Sequence, residues 1–299
     1  YISKKEFLNN YLKKKNKKIL KILIFIVSFI VLLIVIQNFF SSSGKFVAKI
    51  TIENIILDNS DIIKKINKFK DDENLQGVLV SINSPGGTVV SSKELYTIIK
   101  RIRKNVPVVV SMKEVAASGG YMVSLAGNKI FSYNGTLTGS IGVILQSANI
   151  EEFLKVVGVR PIIFKSGDLK AVPNPLERLS SAGIENIENI IKDMHEKFLD
   201  LVKTERKISS DNLRLISDGR IFTGAQAKEI NLVDYIGNED DAIEWLKKEA
   251  QIDGEINLVD FSQEEKISSL FNFSIFKNFI NNVSFYPTGL YALWSANYE

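Results

Sequence analysis

Val106-Pro107-Val108-Val109-Val110-Ser111-Met112-Lys113-Glu114-Val115-Ala116-Ala117-Ser118-Gly119-Gly120-Tyr121 sets how the rest of the chain is read. Its apolar opening, Val106 to Met112, predicts a buried strand, and Ser118 to Ala126 predicts a short helix. The same alternation spreads in both directions. Phe46–Ile52 and Gly77–Ile82 read as strands, and Ser91–Arg103 as a helix with Leu95, Ile98, Ile99 and Ile102 on one face. Lys129–Ser132 and Ile141–Gln146 read as further strands. Ala182 to about Arg206 is the longest helix, its stripe formed by Ile184, Ile187, Ile191, Met194, Phe198 and Val202. Thr223-Gly224-Ala225-Gln226 fits a capping box, Asp240–Ala250 another helix, and Ile256–Phe261 a last strand. Alternation of this kind predicts an α/β domain with a largely parallel sheet.

Ser118 is the residue of that stretch with chemical potential. Two alanines before it leave room, two glycines after it let backbone approach, and a helix start offers unpaired N–H groups. It can be a nucleophile or an ordinary N-capping serine. About thirty residues earlier, Asn83-Ser84-Pro85-Gly86-Gly87 follows a strand. That run can be a plain turn, or the N–H of Gly87 (or Gly86) can join that of Gly119 in holding an oxyanion. The chain has one histidine and no cysteine, which removes thiolate chemistry, disulfides and Cys-ligated metals. His195 lies beside the apolar stripe of the longest helix and reads as a packing residue. The base for a nucleophilic Ser118 must then come from elsewhere, which points to a Ser/Lys pair rather than a Ser/His/Asp triad.

A lysine acts as a base only when neutral. Moving one from about 10.4 to near 7.5 takes roughly 4 kcal/mol of desolvation or charge repulsion. Lys170, in Ser166-Gly167-Asp168-Leu169-Lys170-Ala171-Val172-Pro173, has one of the least charged settings in the body, and its loop is expected to be buried and apolar. Lys165, Lys155 and Lys113 are the alternatives. No cluster with metal-ligand spacing, no Walker loop and no dinucleotide fingerprint is present, so neither metal nor cofactor is expected.

The net charge of +4 hides an asymmetry. Residues 1–21 carry Lys4, Lys5, Lys13, Lys14, Lys15, Lys17, Lys18 and Lys21 against Glu6, which leaves the remainder of the chain negative. A nucleic-acid-binding body is thereby disfavoured. Ile22 to Ile36, broken only by Ser28 and extended by Ile19, Leu20, Phe39 and Phe40, approaches the twenty or so apolar residues that span a bilayer. With the lysines on its N-terminal side, the tail belongs in the cytoplasm and everything after the span lies across the cytoplasmic membrane. A cleavable signal peptide, cut near Ser41-Ser42-Ser43-Gly44, is the competing reading. The expected organisation is a basic tail (1–21), a single transmembrane anchor (22–40), an enzyme domain (41–253) and a Phe/Tyr-rich C-terminal segment without assigned role (254–299). Tyr1 in first position suggests that a short N-terminal piece is missing.

Five runs stand in a telling order: Ser84-Pro85-Gly86-Gly87, Ala116-Ala117-Ser118-Gly119-Gly120-Tyr121, Thr136-Leu137-Thr138-Gly139-Ser140-Ile141-Gly142-Val143, Lys165-Ser166-Gly167-Asp168-Leu169-Lys170, and Asp218-Gly219-Arg220-Ile221-Phe222-Thr223-Gly224. Together they resemble the signal peptide peptidase A family in its short, single-repeat form, membrane-anchored Ser/Lys peptidases of the Clp-protease/crotonase fold. The resemblance covers about Phe46 to Ala250 plus the anchor. It implies a repeated β-β-α superhelix domain behind one transmembrane helix, with Ser118 as nucleophile, Lys170 as general base, an oxyanion hole near Gly87 and Gly119, and Ser140 aiming the lysine amine. A ring-like homo-oligomer is also implied, its catalytic residues contributed by one or by neighbouring protomers. Gly127-Asn128, where the family often has Ala-Asp, and Ala171-Val172, in place of a more polar pair, depart from the pattern without touching the proton transfer.

The activity this implies is an endopeptidase degrading apolar peptides at the outer face of the membrane, chiefly signal peptides left after release from secreted precursors. An anchored enzyme meets such bilayer-bound substrates at high local concentration. Val89, Val90, Val143 and Ile144 are the expected pocket lining. Two other classes compete. An acyl-CoA enzyme of the same superfold would call for a catalytic glutamate and a cytoplasmic location. A catalytically dead, membrane-tethered scaffold would not let Ser118 be captured covalently.

Overall fold

The computed structural model of the protein describes residues 17–18, 21–33, 44–261 and 291–293. The chain divides into two units, one ending at Lys45 and one beginning at Phe46. In the first, residues 21–33 (α1) are helical and display apolar side chains such as Phe25, 71% exposed. Among the described residues no helix is long and apolar enough to cross a membrane. The span expected over 22–40 runs on into residues outside those described, where most of the tail 1–21 also lies.

The second unit runs β1 (Phe46–Ile56), α2 (Ser60–Asn67), β2 (Leu75–Thr88), α3 (Val89–Ile102), β3 (Val108–Ala117), α4 (Gly119–Ser124), β4 (Lys129–Ser132), β5 (Leu137–Gly139), α5 (Glu151–Val156), α6 (Ser181–Glu205), α7 (Ser210–Ile216), β6 (Ile221–Thr223), α8 (Gly224–Glu229), β7 (Tyr235–Ile236), α9 (Glu239–Glu249), β8 (Leu258–Asp260) and β9 (Tyr291–Leu293). This is a mixed α/β fold. The sheet has the order β6-β5-β3-β2-β1-β8, with β1, β2 and β3 parallel at its centre. Period-2 alternation gives each central strand two buried faces. Val47, Leu79 and Val109 pack with Ala242 and Leu246 of α9, whereas Ala48, Val78, Val80, Val108 and Val110 join Leu95, Ile99, Tyr121 and Phe198 on the other side. Burial on both faces is why Val108-Val109-Val110 shows no polar alternation.

The ladders are staggered, and the stagger builds one corner of the sheet. β3 pairs with β2 as far as Ser84↔Ala116, while along its other edge β4, beside Val109–Met112, gives way to β5, beside Val115–Ala117. Beyond Ser84 the freed edge of β2 pairs instead with β9, which lies antiparallel along Gly86–Thr88. Three expectations shift here. Asn83–Gly87 is extended rather than a turn, because β2 runs through it, Gly86 and Gly87 pairing with Ile55 and Ile56 across a register shift. Pro85 falls between paired positions, where its missing N–H costs nothing. β3 continues past Met112, since Lys113 reaches Glu239 at 2.5 Å rather than being buried alone. Ile141–Gln146 is not a strand. The ladder lies earlier, at Leu137–Gly139, and the positive φ of Gly139 (80°) and Ser140 (50°) turns the chain out of the sheet.

The helices are closer to expectation. The capping box of Thr223 and Gln226 forms at the start of α8. α6 is capped by Ser180, whose hydroxyl accepts from Gly183 N–H at 3.1 Å. Its C-terminal half packs through Phe198, Leu201 and Val202, and its end is clasped to α3 by Glu205, which meets Lys100, Arg103 and the Tyr96 hydroxyl. Its N-terminal half leaves the predicted stripe uncovered, with Ile184 43% exposed.

Candidate active site

Ser118 stands at the sharp junction of β3 and α4. Its backbone takes φ 53° and ψ −116°, a region that an L-residue enters only under strain. Neighbours hold it there. Its N–H donates to Gly139 O at 2.8 Å and its carbonyl accepts from Met122 N–H at 2.9 Å. The side chain is 1% exposed, does not cap α4, and its Oγ has no hydrogen-bond partner among the described residues. A capping serine would spend that oxygen on the helix N–H groups, so the ordinary role of a serine at this place is not the one Ser118 fills. An orphaned buried hydroxyl costs about 1–3 kcal/mol. Strain and an orphan together at one residue are the marks of a functional position.

Two glycines come close together beside it. A Cβ on Gly119 would stand 3.0 Å from Gly87 N, and one on Gly87 would stand 2.0 Å from Ile56 O. Contact this close excludes a side chain at 87, crowds one at 119, and brings the end of β2 against the first turn of α4. Ser140 joins the group through the ladder: β3 and β5 pair in parallel up to Ala117↔Gly139, which sets Ser140 next to Ser118. Ser140 is 8% exposed, and its N–H donates to Arg220 O at 2.9 Å. His195 stays outside the group and packs as read from sequence, its Nε2 lying 3.1 Å from Ile141 O.

The lysines separate cleanly. Lys113 is paired with Glu239, Lys155 with Glu151 and Glu152, and Lys165 with Glu177. For Lys155 the hydrogen bonds to Glu151 and Glu152 raise the amine above the usual lysine value, the wrong direction for a base. Burial pushes the Glu239 carboxyl up, but Lys113 and Lys49 outweigh it and hold the group below the usual carboxylate range. The Lys170 amine, by contrast, has no partner among the described residues. It is also exposed, and no residue from 144 to 182 is fully buried. The dry loop expected around Lys170 is therefore not supplied by a single chain, because the segment that carries it has only half-buried and exposed residues. Nor does the amine reach Ser118, whose Oγ is unpartnered.

The expected pocket residues divide. Val143 is 9% exposed and Val89 packs against the core, while Val90 (74%) and Ile144 (46%) face outward and are free to meet a ligand. Two features escaped the sequence reading. One is Ser92, buried beside Gly119; the other is β9 on the edge at Gly86–Thr88. Neither carries a local signal, since a helical serine is common and a pairing across two hundred residues leaves no pattern. Among the described residues no group of His, Cys, Asp and Glu is placed to hold a metal ion.

Residues 100–253, just over half the chain, match Peptidase family S49, and residues 47–136 match the Clp protease family. The chain is 32% identical over 225 residues to the "Putative signal peptide peptidase SppA" of Enterococcus faecium, covering 71% of this chain and 65% of that protein. It is 36% identical over 216 residues to a protein of Synechocystis sp. named as a putative protease, covering 72% of this chain and 78% of the relative. It is 30% identical over 205 residues to "Serine protease SPPA, chloroplastic" of Arabidopsis thaliana, covering 68% of this chain and 30% of that protein.

Proposed function

Since the chain belongs to peptidase family S49, we propose that it is a serine endopeptidase in which Ser118 is the nucleophile and Lys170 the general base. The observation that carries this is the Ser118 hydroxyl: buried, unpartnered, not capping its helix, and beside the amides of Gly87 and Gly119. In the reaction, the neutral Lys170 amine takes the Ser118 proton as Oγ bonds to the scissile carbonyl carbon. The amides of Gly87 and Gly119 hold the resulting oxyanion. The lysine ammonium returns the proton to the leaving amine as the C–N bond breaks, and water then hydrolyses the acyl-serine. Ser140, next to Ser118, aims the amine.

A peptide substrate is supported by the edge at Gly86–Thr88, which accepts an extended antiparallel backbone from the chain's own β9. Apolar peptides are supported by the exposed side chains of Val90, two residues past that edge, and Ile144, and signal peptide remnants by the name of the Enterococcus relative. Residues 22–40 form a single transmembrane anchor, N-terminus inside, which sets the enzyme at the outer face of the cytoplasmic membrane in contact with lipid and substrate. Lys170 reaches Ser118 in a ring-like homo-oligomer of Clp-protease-like superhelical units. Support comes from the uncovered apolar surface that flanks the lysine loop: Phe153 (65%), Val156 (85%), Ile162 (79%) and Phe164 (93%).

The test is turnover of a fluorogenic signal-peptide fragment by the full chain in detergent, with labelling by a fluorophosphonate. Cleavage and label on Ser118, both lost in Ser118→Ala, support the peptidase. A folded protein, verified by circular dichroism, that neither cleaves nor takes label would favour a tethered scaffold.

A further inference from the structure

Ser92 is the buried polar group beside this site that the mechanism leaves without a task. It lies on α3, is 0% exposed, and its hydroxyl has no partner among the described residues. A Cβ on Gly119 would fall 2.3 Å from Ser92 Oγ, with Gly87 N 3.0 Å and Gly86 Cα 3.2 Å from the same point. The hydroxyl thus occupies the volume that a side chain at 119 would need, and both oxyanion amides border that volume. Its helix is anchored to the same strand end. α3 follows directly on Gly86-Gly87-Thr88, and Thr88 Oγ1 accepts from Ser91 N–H at 3.3 Å. Ser92 is therefore tied by its backbone to Gly87 while its side chain touches the turn of Gly119.

An alanine would leave no polar atom unsatisfied, but it would also remove the oxygen that fills the space against Gly119. A hydroxyl can also turn its O–H dipole when charge develops nearby. We propose that Ser92 is a positioning residue for the oxyanion hole, wedged between α3 and α4 so as to fix the spacing and direction of the Gly87 and Gly119 amides. It also accounts for glycine at 119. The inference rests on Ser118 as nucleophile.

The test compares Ser92→Ala with the wild-type chain by peptide turnover, by inhibition with a peptide aldehyde, whose hemiacetal oxygen enters the same hole, and by thermal melting. The expected result is a kcat lower by about 10- to 100-fold, short of the roughly 10²–10³ for loss of a direct donor. KM should change less than about threefold, aldehyde affinity should fall in step with kcat/KM, and Tm should hold or rise because an orphan polar atom has gone. In the paired experiment, Gly119→Ala lowers Tm, and adding Ser92→Gly restores Tm without restoring kcat. A Ser92→Ala enzyme with kcat within twofold of wild type overturns the proposal, as does a fall in kcat that merely tracks a fall in Tm. If Ser118→Ala itself retains turnover, the nucleophile assignment has failed. If turnover requires Ser118 but ignores Ser92, only the positioning role is lost.

Discussion

At Ser118 the demands of folding and of chemistry pull in opposite directions. Its positive φ suits glycine, and its buried hydroxyl finds no partner, so the residue weakens the fold at the point where the proposed chemistry begins. Ser118→Gly should therefore raise stability by about 1 kcal/mol over Ser118→Ala, which keeps the strained Cβ. Thermal melting of the two variants checks this, and both should be inactive. The run Ala116 to Tyr121 made the position visible, because small residues around a serine at a strand-to-helix junction are unusual. Choosing between cap and nucleophile required coordinates, since both use the same residue at the same place. For Lys170 the loop composition suggested a dry amine, but burial depends on what packs against a loop, which composition alone does not record.

The helices and strands that frame the site are held by a few polar clasps whose loss should be measurable. Glu205 ties α6 to α3, the helix that carries Ser92. Burial raises its carboxyl, but Lys100, the Tyr96 hydroxyl and Arg103 overcome that and bring it down to about 2. A group depressed in the folded state stabilises above its unfolded value, near 4.5, and loses that contribution as pH falls toward 2. Glu205→Gln should cost about 3 kcal/mol at pH 7, leaving Lys100 and Arg103 facing a neutral group. The gap in Tm between variant and wild type should narrow steadily below pH 4.5. β9 offers a second prediction. A chain truncated before Tyr291 exposes the edge at Gly86–Thr88 and should bind an extended peptide aldehyde several-fold more tightly. Unchanged inhibition would mean that β9 does not compete with substrate. Periodicity located α3, α6 and α9 because each helix has one buried face. It misplaced the strand at Ile141–Gln146 because an apolar run alone does not reveal where positive-φ residues turn the chain out of a sheet.

For the molecule as a whole, the unit that begins at Phe46 has a well-covered core and one bare flank. From 144 to 182 no side chain is fully buried, and the first half of the α6 stripe is open. A stripe at helical spacing predicts an apolar partner; whether that partner lies in the same chain or in another copy is not written in the period. Phe164→Asp or Ile162→Asp should leave the Phe46–Phe261 fold intact by circular dichroism while lowering oligomer mass on light scattering and abolishing turnover. The account depends on Ser118 of one copy being deprotonated by Lys170 of another. Ser118→Ala and Lys170→Ala chains, each inactive alone, can be co-expressed so that mixed rings form. Recovery of about a quarter of wild-type turnover is expected, since one junction in four then joins an intact serine to an intact lysine. A mixture as inactive as its components, or a Lys170→Ala chain that still turns over by itself, would contradict it.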